Sequence, residues 1–505
     1  MAAPAMRLSH LLQAAGVEPR TAPGSDPVIR QVGLDSRTLG PGSLFCALPG
    51  LNQDGERFVE QAVRQGATAV LAGSPRPAGL DPAIAWLETD DPRMQVAPLS
   101  RELHGRPDET MQLVGITGTN GKTTTAYMVD AIVRAAGLKS GRIGTIDYSW
   151  NEMHRPAPHT TPEGPELFAM LAEMRDADVS WVAMEVSSHA LSMGRVRSAR
   201  FDVAAFLNLR RDHLDFHQDV GSYLNAKMIL FRSLDADDTA ILNADDPAST
   251  VVADQTGAKV LTFGRSPAAD IRIRSDSSTV SGSRATFDTP WGAIEVYTPL
   301  AGPFNLENAA AAAGCALAGG LCADAVRQGI ESLIAVPGRM ERVDGGGEIA
   351  VFVDYAHTED ALSALLAAAR NLADRRVLIV FGCGGDRDRG KRAAMGATAA
   401  RMADLLFPTS DNPRSEDPEA ILAEVEAGIS TVPGGPTRSF RSVDREEAIR
   451  LAVAAARPGD VLVIAGKGHE TTQAAGGRTE PFDDRKIARR MLRESCRTGR
   501  DHAEA

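Results

Sequence analysis

Gly115-Ile116-Thr117-Gly118-Thr119-Asn120-Gly121-Lys122-Thr123-Thr124-Thr125 follows an apolar run that begins at Met111 and opens a long helical pattern. Strand, glycine loop and helix in that order make a phosphate-binding loop. Gly118 and Gly121 let the backbone bend so that successive N–H groups, with those of Thr119, Asn120 and Thr124, face phosphate oxygens. Lys122 reaches the terminal phosphates, and the Thr123 hydroxyl suits a magnesium ion. The stretch predicts ATP use on a parallel sheet, but the same loop serves kinases, switches, motors and ligases. Asn-Lys-x-Asp, by which a guanine switch selects its base, does not occur in the chain.

Outward from this loop, buried-strand patterns recur at Trp181 to Val186, Val203 to Leu207 and Thr239 to Leu242. Between Asp270 and Tyr297 the apolar period drops to two, which predicts an antiparallel insertion. The apolar run Ala309 to Ala323 is shorter than the roughly 20 residues of a membrane span and reads as a tightly packed helix. Val336-Pro337-Gly338-Arg339 ends the central unit, and beyond it strands at Ile349 to Val353, Val377 to Phe381, Leu405 to Pro408 and Val461 to Ala465 alternate with helical stretches. Such alternation predicts a doubly wound sheet. Before Pro107, short apolar runs such as Ser43 to Leu48 suggest a small α/β unit. At 505 residues the chain has room for about three domains, and we expect them at 1–107, 108–336 and 337–505.

The net charge of -12 disfavours a general affinity for nucleic acid or anionic membrane. Anionic ligands must then be held by local cradles of backbone N–H groups and a few chosen cations. The five cysteines (Cys46, Cys315, Cys322, Cys383, Cys496) are odd in number and contain no C-x-x-C. That usage fits the reducing cytoplasm. No export signal opens the sequence, since Arg7, His10 and Gln13 interrupt any apolar core.

Three segments carry further chemistry. Met184-Glu185-Val186-Ser187-Ser188-His189 puts Glu185 at the carboxyl end of a buried strand, where it is either a magnesium ligand or a cap for the next helix. Arg211-Asp212-His213-Leu214-Asp215-Phe216-His217 is dense in His and Asp. Lys227 stands in an apolar helix, where an ammonium is costly to desolvate unless the side chain snorkels.

Together with Thr160-Thr161-Pro162, Asn243-Ala244-Asp245-Asp246, Phe304-Asn305-Leu306-Glu307-Asn308, Asp354-Tyr355-Ala356-His357-Thr358 and Gly466-Lys467-Gly468-His469-Glu470, these segments form an ordered pattern. It resembles the Mur ligases of peptidoglycan synthesis over almost the whole chain, and so implies cell-wall biogenesis and a part in cell shape and division. The resemblance implies a uridine-nucleotide-binding N-terminal domain, a central P-loop ATPase domain and a C-terminal Rossmann-like domain. It implies that Thr123, Glu185 and His213 help hold Mg2+, with Lys227 carbamylated by CO2 as a further ligand. It places Asn308 at adenine, and Arg339 and Asp354 at ribose or phosphate. For a UDP-sugar dipeptide it implies Leu34, Ser36 and Leu51-Asn52-Gln53 near the uridine diphosphate, then Thr160, Thr161, Ser187 and Arg195 along the muramoyl dipeptide. Met193 and Arg210 depart from the family's usual residues and are not carried over as contacts.

The third domain holds Asp411-Asn412-Pro413-Arg414, identical to the signature of the family members that add meso-diaminopimelate. That amino acid is lysine with a second carboxylate at its far end, and an arginine is a two-pronged donor for such a group. Taken alone, Arg414 would read as a surface ion pair; the match assigns it, with Arg387, to the carboxylate, and Asp411, Asn412, Pro413, Gly466 and Glu470 to the rest of the amino acid. The implied reaction is ATP-dependent amide formation through an acyl phosphate on UDP-N-acetylmuramoyl-L-alanyl-D-glutamate, by a cytoplasmic monomer working on small molecules. L-Lysine is the alternative amine. A folylpolyglutamate synthase would share the ATPase core but lack the first domain, and a switch protein would have no use for Lys227, Arg387 and Arg414 together.

Overall fold

The computed structural model describes residues 5–50, 54–345, 349–433 and 439–501. Its largest sheet has eleven strands and is built on the phosphate-loop strand Gln112–Thr117. Trp181–Glu185 and Val203–Phe206 flank that strand in parallel. Thr239–Asn243 and Lys259–Gly264 continue the parallel run. On each strand alternate residues enter opposite layers, as a two-residue period requires. Val114, Ile116, Ala183 and Ala205 meet the helices Lys122–Ala135 and Pro303–Ala318, whereas Leu113, Val182, Met184 and Ala204 meet the helix Gly164–Asp176 side.

The period-two stretch forms Ile271–Thr279, Gly282–Thr289 and Gly292–Thr298, antiparallel to one another and joined to the edge of the same sheet through Lys259–Gly264. At the opposite edge Ser140–Ile143 pairs with Trp181–Glu185 and carries a hairpin, Asp147–Trp150 with Met153–Pro156. Sequence reading missed that edge. The hairpin's outer strand is mostly exposed, and Gly141 and Arg142 interrupt any apolar pattern in Ser140–Ile143. The single helix expected at Ala309 to Ala323 is split: Pro303–Ala318 stops at Gly319-Gly320, and Ala323–Ser332 follows as a second helix. Gly320, with φ +92°, provides a left-handed turn that an alanine would resist.

A four-stranded parallel sheet (Gln31–Gly33, Ser43–Cys46, Ala67–Ala72, Ala85–Glu88) precedes this core. A five-stranded sheet follows it, in the order Glu341–Arg342, Ala350–Asp354, Val461–Ala465, Val377–Phe381, Leu405–Pro408. Its four long strands are parallel and fully inside. Phe352, Ile379, Phe381 and Val463 pack on one face and Val351, Val353, Leu378, Val380 and Ile464 on the other. Helices on both faces make it doubly wound.

Between the last two sheets the chain turns at Gly338, whose φ is +65°. A Cβ there would strike the backbone of Gly468 and His469, so only glycine allows this approach. The Gly338 N–H donates to Glu341 Oε2 at 2.7 Å, and Met340 N–H donates to Asp354 at 2.7 Å. The turn is thereby fastened to the third sheet.

Candidate active site

The phosphate loop leaves the carboxyl end of the central strand and enters its helix at Gly121 (φ +91°). A side chain at Gly121 would collide with the Asn308 amide, which is how the helix Pro303–Ala318 comes to lie against the loop. Lys122 folds back so that Nζ donates to the carbonyls of Gly118 (2.7 Å) and Thr119 (2.8 Å). Burial pushes its pKa down, with Arg339 adding to that effect against the pull of Glu185 and Asp212. Asn208 clamps the loop from the next strand, accepting from Asn120 N–H at 2.9 Å and donating to Asn120 O at 3.1 Å.

Glu185 is 1% exposed and does not cap the helix after it; Ser187 does, accepting from Ala190 N–H at 3.2 Å. Thr123 donates to Glu185 Oε2 at 3.0 Å, and Thr145 gives both its N–H (2.8 Å) and its hydroxyl (3.0 Å) to the same carboxylate. Arg339, from beyond the Gly338 turn, donates to Thr123 Oγ1 at 3.1 Å and lies over the Tyr355 ring. Lys227, 1% exposed, projects over the Tyr223 ring at 4.3 Å. Its pKa falls well below the ordinary lysine value, chiefly through burial and secondly through Lys122. His213 has φ +54° and sits edge-on to His189 with ring centres 4.8 Å apart.

These groups share one cavity of about 430 Å³. Thr119 to Thr124, Thr145, Thr160, Glu185, Ser187, His213 and Lys227 line it from the central sheet, Asn308 and Glu307 from the helix, and Arg339 and Asp354 to Thr358 from the third sheet. Asp354 is committed to two backbone donors, Met340 and Ala356, and burial raises its pKa. Asn308 donates to Asn305 at 3.2 Å.

A second polar cluster lies across the third sheet and does not line that cavity. Arg414, with φ +55°, donates to Gly385 O at 2.6 Å, beside the loop that carries Arg387. Asp411, Asn412, Lys467 and Glu470 gather behind it: Asn412 donates to Glu470 at 2.8 Å, and Lys467 Nζ reaches Asn412 and Glu470 at 3.1 Å each. Burial raises the Asp411 pKa. Gly466 packs against Asp411. Tyr355 lines the cavity, and its ring lies 5.2 Å from that of His469.

Three family profiles match in order: "Mur ligase family, catalytic domain" over residues 28–97, "Mur ligase middle domain" over 116–316 and "Mur ligase, glutamate ligase domain" over 338–468. A Geobacter metallireducens protein named UDP-N-acetylmuramoyl-L-alanyl-D-glutamate--2,6-diaminopimelate ligase is 43% identical over 513 residues, covering 98% of this chain and 100% of its own. The chain belongs to the Mur ligase family. A solved structure of a protein with that ligase name is 31% identical, with a TM-score of 0.67, covering 92% of this chain and 95% of its own. Mycobacterium tuberculosis folylpolyglutamate synthase, solved with ADP and AMPPCP, has the same fold at 23% identity and a TM-score of 0.60, but covers only 74% of this chain.

Of the other residues expected from Mur ligase resemblance, Thr161 accepts from Ser187 N–H at 3.0 Å and donates to Glu185 O at 2.8 Å. Arg195 donates to Thr161 O at 3.0 Å and pairs with Glu163 at 2.9 Å. Leu34 and Ser36 lie beside the first sheet, away from the cavity, where Ser36 donates to Gln61 at 2.9 Å. Leu51, Asn52 and Gln53 lie outside the described residues. The two departures have clear surroundings. Met193 sulfur receives Arg195 Nη2 at 3.7 Å, and Arg210 pairs with Asp246 at 2.9 Å beside the phosphate loop.

Sequence reading did not single out Thr145, Tyr223, Lys467 or Arg445. Thr145 follows the missed strand Ser140–Ile143, so no motif pointed to it. Arg445 is a fully buried cation, paired with Asp484 at 2.7 Å, and its only signal was an arginine at the start of an amphipathic helix.

Proposed function

We propose that this Mur ligase joins meso-diaminopimelate to UDP-N-acetylmuramoyl-L-alanyl-D-glutamate at the expense of ATP, in the cytoplasm. The observation that carries the reading is the pairing of a phosphate-loop cavity with Arg414, Asp411 and Glu470, a constellation suited to an amino-acid end bearing both carboxylate and ammonium. No helix among the described residues is long and apolar enough to cross a membrane. We assign 1–107 to the uridine nucleotide, 108–336 to ATP and 337–505 to the amino acid.

The γ-phosphoryl group passes to the substrate carboxylate and ADP leaves; the amine then attacks the acyl carbon, phosphate departs and the amine loses a proton. No side-chain nucleophile is needed. Lys122 and Arg339 bring positive charge to the side of the cavity where the transferring oxygens converge, and Thr160, Thr161, Ser187 and Arg195 orient the dipeptide. Asp354 and Asn308 bound the nucleoside end. An ammonium held by carboxylates stays protonated, so the attacking amine is the one at the other end of diaminopimelate.

The residues present fit a magnesium site. Glu185 and the Thr123 hydroxyl meet at 3.0 Å as hard oxygen donors, with His213 on the same cavity. Lys227 suits carbamylation: burial favours the neutral amine that adds to CO2 with loss of a proton, and the product is an anion facing the metal side. The ion, when bound, neutralises phosphate charge.

The test is phosphate release with ATP, magnesium and UDP-N-acetylmuramoyl-L-alanyl-D-glutamate, comparing meso-diaminopimelate with L-lysine and weighing the product. Release and a tripeptide product with diaminopimelate alone support the reading. A preference for lysine discards the assignment of Arg414, and turnover that ignores both amines discards the ligase.

A further inference from the structure

Two carboxylates close together in a dry pocket cannot both stay ionised without a cation. Asp411 is buried, Glu470 is partly exposed at the mouth of the same pocket, and between them stands Lys467, wholly buried on the turn after the strand Val461–Ala465. Its Nζ donates to Glu470 Oε2 and Asn412 Oδ1, both at 3.1 Å, and lies 3.8 Å from Asp411 Oδ1. Each of the two nearer acceptors already has a second donor. Asn412 Nδ2 reaches Glu470 Oε2 at 2.8 Å, and Ala474 N–H reaches Asn412 Oδ1 at 3.0 Å.

Asp411 Oδ1, by contrast, is buried with no hydrogen-bond partner among the described residues. The other large cation behind it is spent: Arg445 gives its guanidinium to Asp484 (2.8 and 2.7 Å) and to the carbonyls of Ser410 (3.2 Å) and Ala465 (3.0 Å). Of the remaining groups that face the cluster, burial keeps the Tyr355 phenol protonated and holds His469 neutral, with a pKa of about 4. Arg387 is exposed at the rim. Arg445 cancels Asp484 and Lys467 cancels one carboxylate, while Arg414, held on Gly385 O, and the exposed Arg387 are kept for the substrate carboxylate; at the ammonium end that leaves a single negative charge on Asp411.

We propose that Lys467 is a positioning and specificity residue for the amine substrate: by occupying Glu470 and Asn412 it leaves the pocket short of one positive charge, centred on Asp411, and so matched to one ammonium. The inference rests on the proposed ligase reading. It differs from assigning Glu470 as the direct ammonium acceptor, because the Glu470 oxygen nearest the cluster is already doubly bonded.

The test compares wild type, K467M and K467M/E470Q, following KM for each substrate across about pH 6 to 9. In K467M the buried Asp411 loses the cation that opposes its protonation and takes up a proton that the ammonium must displace. Its KM for diaminopimelate is expected to rise more than about tenfold, to fall as pH rises relative to wild type, and to leave KM for ATP and the nucleotide-sugar unchanged. The double variant restores a single negative charge and recovers the wild-type pH profile of KM, whatever offset in KM the loss of the Glu470 carboxylate itself brings. A K467M enzyme with wild-type KM for diaminopimelate, or with the same pH slope as the double variant, overturns the proposal. If K467M alone fails to fold, the double variant decides: a wild-type pH profile of KM for diaminopimelate supports the proposal and an altered one overturns it; if the double variant fails to fold as well, the lysine is scaffold and the proposal falls. Wild-type protein that ignores diaminopimelate sinks the ligase reading instead.

Discussion

The phosphate-loop cavity and the amine pocket are built on opposite principles. The first is made of backbone: a glycine loop at the carboxyl end of a strand, with Lys122 folded onto its own loop carbonyls and one buried carboxylate, Glu185, held by Thr123 and Thr145. The second is made of side chains: Asp411, Glu470, Lys467, Arg445 and Asp484 are brought together from separate turns and helices, and buried charge is balanced almost entirely by buried charge. A backbone cradle accepts any nucleotide triphosphate tail and so serves many reactions, whereas a charge-balanced side-chain pocket discriminates between amino acids. On the proposed reading, specificity in this ligase resides in the third sheet.

The largest effect should come from breaking the first site. Lys122→Met removes the cation nearest the transferring phosphoryl group and should lower kcat by about 10³-fold or more, with near-wild-type binding of diaminopimelate; a phosphate-release assay with calorimetry separates the two. Next, Arg414→Ala should cost about 2 to 5 kcal/mol in kcat/KM for diaminopimelate if it pairs with a desolvated carboxylate, while KM for ATP stays put. An unchanged Michaelis constant for the amine would remove Arg414 from the pocket.

Depleting CO2 should reduce turnover by about tenfold through loss of a charged partner to the metal site, and bicarbonate should restore it. Lys227→Met should show neither loss nor recovery on that treatment; a wild-type enzyme indifferent to CO2 would make Lys227 a plain buried amine. The smallest effect concerns the loop that carries Arg387. Glu416 bonds Arg392 at 2.8 Å and Asp386 N–H at 2.6 Å, and Arg392 holds its pKa down at about 2 against an ordinary 4.5. A depressed carboxyl stabilises the fold above its unfolded pKa and loses that contribution as pH falls through the folded value. The melting temperatures of wild type and Glu416→Gln should thus differ at neutral pH and converge between about pH 4.5 and 2, a gap that differential scanning calorimetry reads directly.

The same contrast explains what could be read in advance. The phosphate loop, the strand carrying Glu185 and the four long strands of the third sheet were legible because each is a local pattern: a glycine spacing, or an unbroken apolar run that only a strand buried on both faces requires. The strand Ser140–Ile143 was not, since its alternating pattern is broken by Gly141 and by Arg142, which is buried against Asp130 and Asp147. Thr145 was hidden with it. Thr123, Glu185, His213 and Lys227, the residues proposed for the metal, did come to line one cavity, although they span more than a hundred positions of sequence.

Sequence alone determined the fold class, the nucleotide chemistry and the ligase family, and it supplied in Asp411 to Arg414 the motif on which the proposed amine site rests, because each depends on residue types at short fixed spacings. Tertiary structure decided how charge is apportioned. That Glu185 is held by Thr145, that Arg445 is spent on Asp484 rather than on Asp411, and that Lys467 sits between two carboxylates all depend on distances between segments far apart in the chain. Electrostatic balance in a low-dielectric interior is set by which groups lie within a few ångströms of one another, and only the folded chain fixes those neighbours.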